Sequence, residues 1–177
     1  MEKSMIDILW ARAQIDDALN NYCMGVDLRD EQMFLEAFHP DAVLIYGTNT
    51  PTPWSHVGHE QISALIQVSA SRWVDCHHMG TNPVIRFSDD FVTATVVSRA
   101  LAVYTTEDLI HLNSIGRYSD KFTLRDGRWK IQERKVEHRF RATYLRPKPE
   151  LDYVVNPPSM KSDFLAELRA KRESELP

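Results

Sequence analysis

The sequence predicts an α+β fold in which helices cover one face of a curved, mainly antiparallel sheet. Apolar residues recur at helical spacing within about residues 5–73, and strand-like runs then fill about 84–144. Helices followed by a long series of strands are typical of α+β domains. The pair Asp126-Gly127 separates two of the strand-like runs, and such a pair favours a two-residue hairpin turn.

The first helix is predicted over about residues 5–25, with Ser4 as its N-cap. Its buried face is predicted from apolar and aromatic residues spaced by seven, four, three and four positions: Ile8, Ile15, Leu19, Tyr22 and Val26. A residue pattern with this period places one stripe of the helix against a core.

The following segment is predicted to alternate between short elements. Glu31–Phe38 has the pattern of a short second helix, and His39-Pro40-Asp41 is expected to break the chain before an apolar strand that ends at Tyr46. Residues 47–58 are rich in Thr and Pro and are predicted to form a loop. A third helix is expected over about residues 60–73.

The second half is predicted to form antiparallel strands and then a separate C-terminal arm. The strand-like runs cover 84–87, 91–104, 110–124 and 129–144. We expect one domain over residues 1–145, then over 146–177 a Pro-rich arm and a short charged helix. The basic stretch from Lys130 to Lys148 is predicted to be mainly a solvated strand face with interface charge, and binding of a carboxylate at the mouth of a pocket is the alternative.

Composition excludes several classes of function. The chain has 177 residues, a net charge of −4 and a pI of about 6.0, so no global field attracts nucleic acid or anionic membrane. The N-terminus lacks a signal-peptide pattern, and no apolar stretch is long enough to cross a membrane. With Cys23 and Cys76 in no disulfide or metal pattern, we expect a cytoplasmic protein.

Cofactors and metals are not expected either. The sequence contains neither the glycine pattern of dinucleotide-binding folds nor that of phosphate-binding loops. The adjacent His77 and His78 fall in a strand and therefore point to opposite faces, so they cannot share one metal ion.

Four polar residues interrupt otherwise apolar segments: Tyr22, Asp27, Tyr46 and His78. A carboxylate beside an imidazole, with phenols nearby, can move protons without a cofactor. Taken singly, each has an ordinary structural interpretation. Asp27 could end a helix, His78 could be a core histidine, and the tyrosines could line a wet rim.

Four segments together resemble the SnoaL-like branch of the nuclear-transport-factor-2-like superfamily: Tyr22–Asp27, Phe38–Ala42, His78–Asn82 and Arg125–Lys130. The resemblance covers about residues 5–140. It implies a cone-shaped α+β barrel with a deep pocket. Scytalone dehydratase, the bile-acid 7α-dehydratases and hexachlorocyclohexane dehydrochlorinase are similar in pattern.

The resemblance also implies roles for individual residues. Asp27 and His78 match the proton-abstracting dyad of those enzymes, and Tyr22 and Tyr46 match their polar anchors. The position that carries a further polar partner in the dehydratases falls near Ala102 here. The leaving-group half of the reaction would then run through one of three other residues, Tyr104, Tyr118 or His138. With Trp54, these residues are the predicted substrate-binding set.

The sequence therefore predicts a cofactor-independent lyase for a small, apolar, aromatic or polycyclic substrate. Water, formaldehyde or halide could be the group that leaves. Two alternatives stay open: an isomerase or cyclase that uses the same base, and a non-catalytic ligand-binding module. Apolar residues of both parities in one strand, Val96, Val97, Leu101 and Val103, predict a homo-oligomer, with a trimer favoured.

Overall fold

The computed structural model describes residues 3–106 and 109–145, and the predicted arm and C-terminal helix lie outside these ranges. Three helices and seven strands follow one another within them: α1 (Met5–Leu28), α2 (Glu31–Glu36), β1 (Phe38–Tyr46), β2 (Trp54–Val57), α3 (Gly58–Arg72), β3 (Asp75–Phe87), β4 (Thr93–Thr105), β5 (Leu109–Arg125), β6 (Arg128–Glu137) and β7 (Phe140–Leu145).

The strands form one curled sheet in the order β2-β1-β6-β5-β4-β3, and β7 also pairs with β5. β1 and β6 run parallel, whereas the other neighbours are antiparallel. The helices precede most of the sheet in the chain and pack against it. The predicted α+β class, with a cone-shaped curled sheet, is confirmed.

Helix α1 lies against the inner face of this sheet, where it contacts β3 and β6. Ser4 and Asp7 form a capping box at its N-terminus, as the sequence predicts for Ser4. Its buried face includes Ile15, Leu19, Tyr22 and Val26. The helix ends where Arg29 adopts the left-handed conformation, with φ of 58°. It is thus one turn longer than expected, which places Asp27 inside it.

The second helix is shorter than predicted, because Phe38 begins β1 rather than ending α2. The predicted break at His39-Pro40-Asp41 is wrong, since these residues lie within β1. The pairing of β1 with β6 shifts register between Phe38 and Val43. Proline is tolerated at such an irregularity because no ladder hydrogen bond is required from its nitrogen. His39 bonds the carbonyl of Thr123 there, at 3.0 Å.

Two further boundaries differ from expectation. Residues 54–57 of the predicted loop form β2, which pairs with the end of β1. The last predicted run divides into β6 and β7, with His138 and Arg139 between them. The hairpin at Asp126-Gly127 is confirmed: both residues have positive φ, 51° and 73°, as a tight hairpin turn requires.

The core fills the space between the helices and the inner face of the sheet. Phe34, Phe38, Phe122 and Ile131 are completely buried there. No helix within the described ranges combines the length and the hydrophobicity needed to span a bilayer.

Candidate active site

Asp27 and His78 form a hydrogen-bonded pair between the last turn of α1 and the inner face of β3. Asp27 Oδ1 lies 2.6 Å from His78 Nδ1, and Asp27 Oδ2 accepts the backbone N–H of His78 at 2.7 Å. The two side chains are nearly enclosed, with 12% and 7% of their surface exposed. One oxygen of the Asp27 carboxylate binds the imidazole of His78 and the other binds its backbone. The carboxylate therefore holds both the ring and strand β3 against the end of α1.

The strand pleat separates the two neighbouring histidines, as the sequence predicts. His78 faces α1, whereas His77 points outward and bonds the exposed Asp75 at 3.1 Å. Cys76, which has the same parity as His78, is buried against the carbonyl of Val26. This contact holds the start of β3 against the end of α1, where the dyad forms.

The other imidazole nitrogen, His78 Nε2, lies 2.9 Å from the hydroxyl of Tyr104 on β4. Tyr104 is two positions along the strand from Ala102, the direct cross-strand neighbour of His78. Tyr104 and Ala102 share a face of the sheet because side chains two positions apart on a strand point the same way. Ala102 has no polar group to offer the imidazole, and the Tyr104 hydroxyl supplies that contact instead.

Two of the predicted anchors form a second polar pair beyond the dyad. The hydroxyls of Tyr22 and Tyr46 are 3.3 Å apart. Trp54, which is half-exposed, stacks on Tyr46 with ring centroids 5.7 Å apart and an interplanar angle of 15°. Since Trp54 and Tyr46 are cross-strand partners, their rings form a continuous aromatic wall on one face.

A buried ion pair lies beneath the tyrosines, and the sequence did not predict it. Arg134 donates from Nε and Nη2 to the two oxygens of Asp120 at 2.9 and 2.7 Å. Both side chains are fully buried. The guanidinium lies between the rings of Tyr22 and Tyr118, 4.1 and 4.4 Å from their centroids. This corrects the expectation that Arg134 belongs to a solvated strand face.

One nitrogen of that guanidinium, Arg134 Nη1, is buried without a hydrogen-bond partner among the described residues. A buried donor without a partner is costly, and it commonly marks a place where water or a ligand binds. Its two aromatic neighbours each place a further hydroxyl in the same part of the core. Arg134 Nη1 is therefore a candidate donor to an oxygen atom of a ligand.

Burial sets the protonation of this donor group. Burial raises the pKa of Tyr22 and Tyr118 well above the usual value for a phenol, and it also raises the pKa of Tyr46. Burial likewise raises the pKa of Asp120, and the guanidinium opposes that effect. Burial disfavours the charged form of Arg134, but the attraction of Asp120 prevails and its pKa lies above the ordinary value. All three phenols are therefore donors at neutral pH.

The remaining predicted residue, His138, lies between β6 and β7. Its carbonyl accepts a hydrogen bond of 2.6 Å from Asn49, which ties that connection to the β1–β2 loop. The structure thus brings Asp27, His78 and Tyr104 into one network and Tyr22, Tyr46 and Tyr118 around Arg134. The hydrogen bond from Asn49 to the His138 carbonyl connects His138 to neither of these two networks.

Asp27, Cys76 and His78 also have the ligand types of a metal site. Their ligand atoms all lie within 4.8 Å of one another. The carboxylate oxygen and Nδ1 are only 2.6 Å apart, whereas two ligands on one tetrahedral zinc ion lie about 3.3 Å apart. The pair as placed thus fits a shared proton better than a shared ion.

Solved structures with this architecture come from several proteins of low sequence identity. A protein assigned as a scytalone dehydratase, from Novosphingobium aromaticivorans, has a TM-score of 0.69 and 20% identity over 83% of this chain and 99% of its own. The hexachlorocyclohexane dehydrochlorinase LinA of type 3, from Novosphingobium barchaimii, has a TM-score of 0.68 and 23% identity over 80% and 94% of the two chains.

A third similar structure, a protein assigned as an aromatic ring hydroxylase from Novosphingobium aromaticivorans, has a TM-score of 0.66 and 20% identity over 78% and 94%. These identities establish a common fold, and the three names differ in chemistry. No curated protein sequence matches the chain. The family model for the SnoaL-like domain matches residues 7–135, and with the curled sheet around α1 it shows that the chain belongs to the SnoaL-like domain family.

Proposed function

We propose that this protein is a cofactor-independent lyase in which the Asp27–His78 dyad removes a proton from a carbon atom of the substrate. The observation that carries the proposal is the enclosed 2.6 Å contact between the carboxylate and Nδ1. The fold family includes structures assigned to a dehydratase and a dehydrochlorinase, both of which are elimination enzymes by name.

Asp27 acts on the imidazole in two ways. It accepts the Nδ1 proton, which leaves the lone pair of the ring on Nε2, and it stabilises the imidazolium that forms when Nε2 takes a proton. Its second oxygen is held by the backbone N–H of His78 at 2.7 Å, so the carboxylate cannot rotate freely. Such fixed geometry lowers the reorganisation needed during proton transfer.

The tyrosine and arginine donors are proposed to bind the oxygen on which negative charge develops. Tyr22, Tyr46 and Tyr118 remain protonated because their burial disfavours the phenolate, and Arg134 Nη1 lacks a protein partner among the described residues. A carbonyl or hydroxyl oxygen of a mostly apolar, aromatic substrate suits this donor group. Trp54 supplies a flat surface beside it for an aromatic ring.

An isomerase or cyclase with the same base is the second candidate. The residue directly opposite His78 is Ala102, which has no acid to assist a leaving group. A reaction that forms an enolate and returns the proton elsewhere would need no such acid. A non-catalytic ligand-binding module would bind a ligand through the same residues without turnover.

The decisive experiment incubates the purified protein with a panel of aromatic alcohols, ketones and halides. With the proton taken from carbon, the lyase proposal predicts release of water or halide and formation of a new double bond, which mass spectrometry and NMR detect. Release of formaldehyde would instead show that the base takes a hydroxyl proton and that a C–C bond breaks, with its electron pair staying on the substrate. Isomerisation of a ketone without loss of mass supports the second candidate. Binding of panel members without any turnover, in the wild-type protein and in His78→Ala alike, would contradict catalysis.

We further propose a homo-oligomer, with a trimer favoured, in the cytoplasm. Val84 and Val97 are cross-strand partners on the outer face of β3 and β4, and they are 55% and 42% exposed in the single chain. Exposed apolar residues side by side favour a subunit contact. Cys23 and Cys76 are both free thiols, as a reducing compartment allows. Light scattering that gave a mass near 20.5 kDa at micromolar concentration would refute the oligomer.

A further inference from the structure

Both ring nitrogens of His78 have partners in the described structure, which bears on how the dyad can act as a base. Nδ1 faces the Asp27 carboxylate at 2.6 Å, and Nε2 faces the Tyr104 hydroxyl at 2.9 Å. A carboxylate only accepts hydrogen bonds, so this network assigns the ring proton to Nδ1. Nε2 then accepts the Tyr104 O–H. The basic lone pair of the dyad is directed at a phenol.

Tyr104 is held in this position by its packing. Its ring lies 4.8 Å from that of Trp73 at an interplanar angle of 34°, and it meets the imidazole edge-on at 5.3 Å. The Arg72 guanidinium lies 4.8 Å above the same Trp73 ring. For a substrate carbon to reach Nε2 directly, the phenol would have to leave this aromatic cluster. Its oxygen, in contrast, is already within hydrogen-bond distance of Nε2.

We propose that Tyr104 is the third member of the catalytic group and that its oxygen, rather than His78 Nε2, takes the proton from the substrate. This inference rests on the proposed lyase function, because it concerns the same base. Asp27, His78 and Tyr104 then form a chain in which a carboxylate orients an imidazole and the imidazole activates a hydroxyl. The missing polar group at Ala102 is replaced from the next inward position of β4.

The proton and electron balance of the step is closed within the chain and the substrate. The substrate C–H bond breaks, and its proton forms a new O–H bond on Tyr104 while the original Tyr104 proton moves to His78 Nε2. The electron pair of the C–H bond forms the double bond, and the leaving group departs with its own bonding pair. The imidazolium then returns a proton through the Tyr104 hydroxyl to the leaving group, which restores the starting state.

The main test compares Tyr104→Phe with His78→Ala and with Tyr46→Phe as a matched loss of one phenol. Each variant is assayed for kcat and KM on the panel substrate that the wild-type protein turns over. The phenylalanine ring preserves the packing on Trp73, and urea unfolding checks that Tyr104→Phe retains the wild-type midpoint. The proposal predicts that Tyr104→Phe lowers kcat by about 100-fold or more with little change in KM, close to the loss in His78→Ala.

The outcomes separate this inference from the proposed function. If His78→Ala is inactive while Tyr104→Phe keeps kcat within about threefold of the wild type, or exceeds it, the relay is overturned and His78 acts directly. If both variants keep full activity, the lyase mechanism itself fails. Replacement of Tyr104 by 3,5-difluorotyrosine, a more acidic phenol, should move the pH–rate profile to lower pH. An unmoved profile would assign Tyr104 a structural role only.

Discussion

Among the described residues, the core contains two buried pairs of an aspartate with a basic side chain, and the two pairs differ in their surroundings. Asp27 and His78 retain slight exposure, and an imidazole is the side chain that most often serves as a general base. Asp120 and Arg134 have no exposed surface and are joined by two hydrogen bonds. Guanidinium does not lose its proton in proteins, so the second pair is permanent.

The two pairs show that an aspartate beside a basic side chain can serve either proton transfer or packing of the core. The dyad joins two elements at the end of α1 and leaves an imidazole nitrogen directed at another polar group, Tyr104. The ion pair joins neighbouring strands β5 and β6 and holds two aromatic rings on its guanidinium. We therefore expect changes in the dyad to affect mainly turnover, and changes in the ion pair to affect folding as well as any binding of substrate by Arg134 Nη1.

The largest expected effect on turnover comes from the dyad. His78→Ala and Asp27→Asn should each lower kcat by about 10³-fold, because they remove the base or the group that orients it. Urea unfolding and ligand binding should stay close to wild type, since the pair lies at the edge of the core. If the variants lose stability in the same measure as activity, the dyad is a structural pair like Asp120–Arg134.

The largest expected effect on stability comes from the ion pair. Arg134→Met leaves the Asp120 carboxylate buried without its partner and should lower the free energy of unfolding by about 3–5 kcal/mol. The double variant Asp120→Leu/Arg134→Met should recover most of this loss, because two apolar side chains need no charge partner. Urea denaturation measures both.

The exposed pair Arg125–Asp41 is the matched control for that prediction. Its atoms also approach to 2.7 Å, but both side chains are largely solvated. Arg125→Met should therefore cost no more than about 1 kcal/mol. A cost equal to that of Arg134→Met would show that burial does not distinguish the two ion pairs.

The two pairs also differ in how far the sequence could predict them. Asp27 and His78 each interrupt an apolar pattern, and their segments resemble a known family, so the dyad was identifiable. Arg134 was not, because a register shift next to Gln132 reverses the parity of β6. Alternation counted from the buried Ile131 places Arg134 outside, whereas the strand irregularity turns it inward with Val136.

The same limit applies to boundaries and contacts elsewhere. Periodicity predicted α1 and the long strands, because each buries a continuous face. It did not predict that His39-Pro40-Asp41 would join β1, since the pairing that accommodates Pro40 depends on β6, far away in the chain. The contact of Tyr104 with His78 depends likewise on the register between β3 and β4, which residue types alone do not fix.

A smaller effect is expected at the junction between the two regions. Tyr46→Phe removes one hydroxyl, which lies 3.3 Å from that of Tyr22, and keeps the ring that stacks on Trp54. We expect kcat to fall by about tenfold, since one of several donors to the substrate oxygen is lost. Steady-state kinetics measure kcat for Tyr46→Phe and for His78→Ala under the same conditions. A loss of kcat as large as that of His78→Ala would show that Tyr46 takes part in proton abstraction rather than only binding the substrate.

The smallest effect concerns alkaline pH and belongs to the ion-pair region alone. Burial raises the pKa of Tyr118 well above the value of about 10 that an unfolded tyrosine has. The folded protein therefore keeps a proton that the unfolded chain releases, so this contribution to stability is complete below about pH 10 and declines as the pH rises further. Tyr118→Phe should lessen the loss of stability between about pH 9 and pH 11, as measured by urea midpoints. Asp27→Asn, which changes only the dyad, should retain the wild-type slope, and identical slopes in Tyr118→Phe and wild type would contradict the prediction.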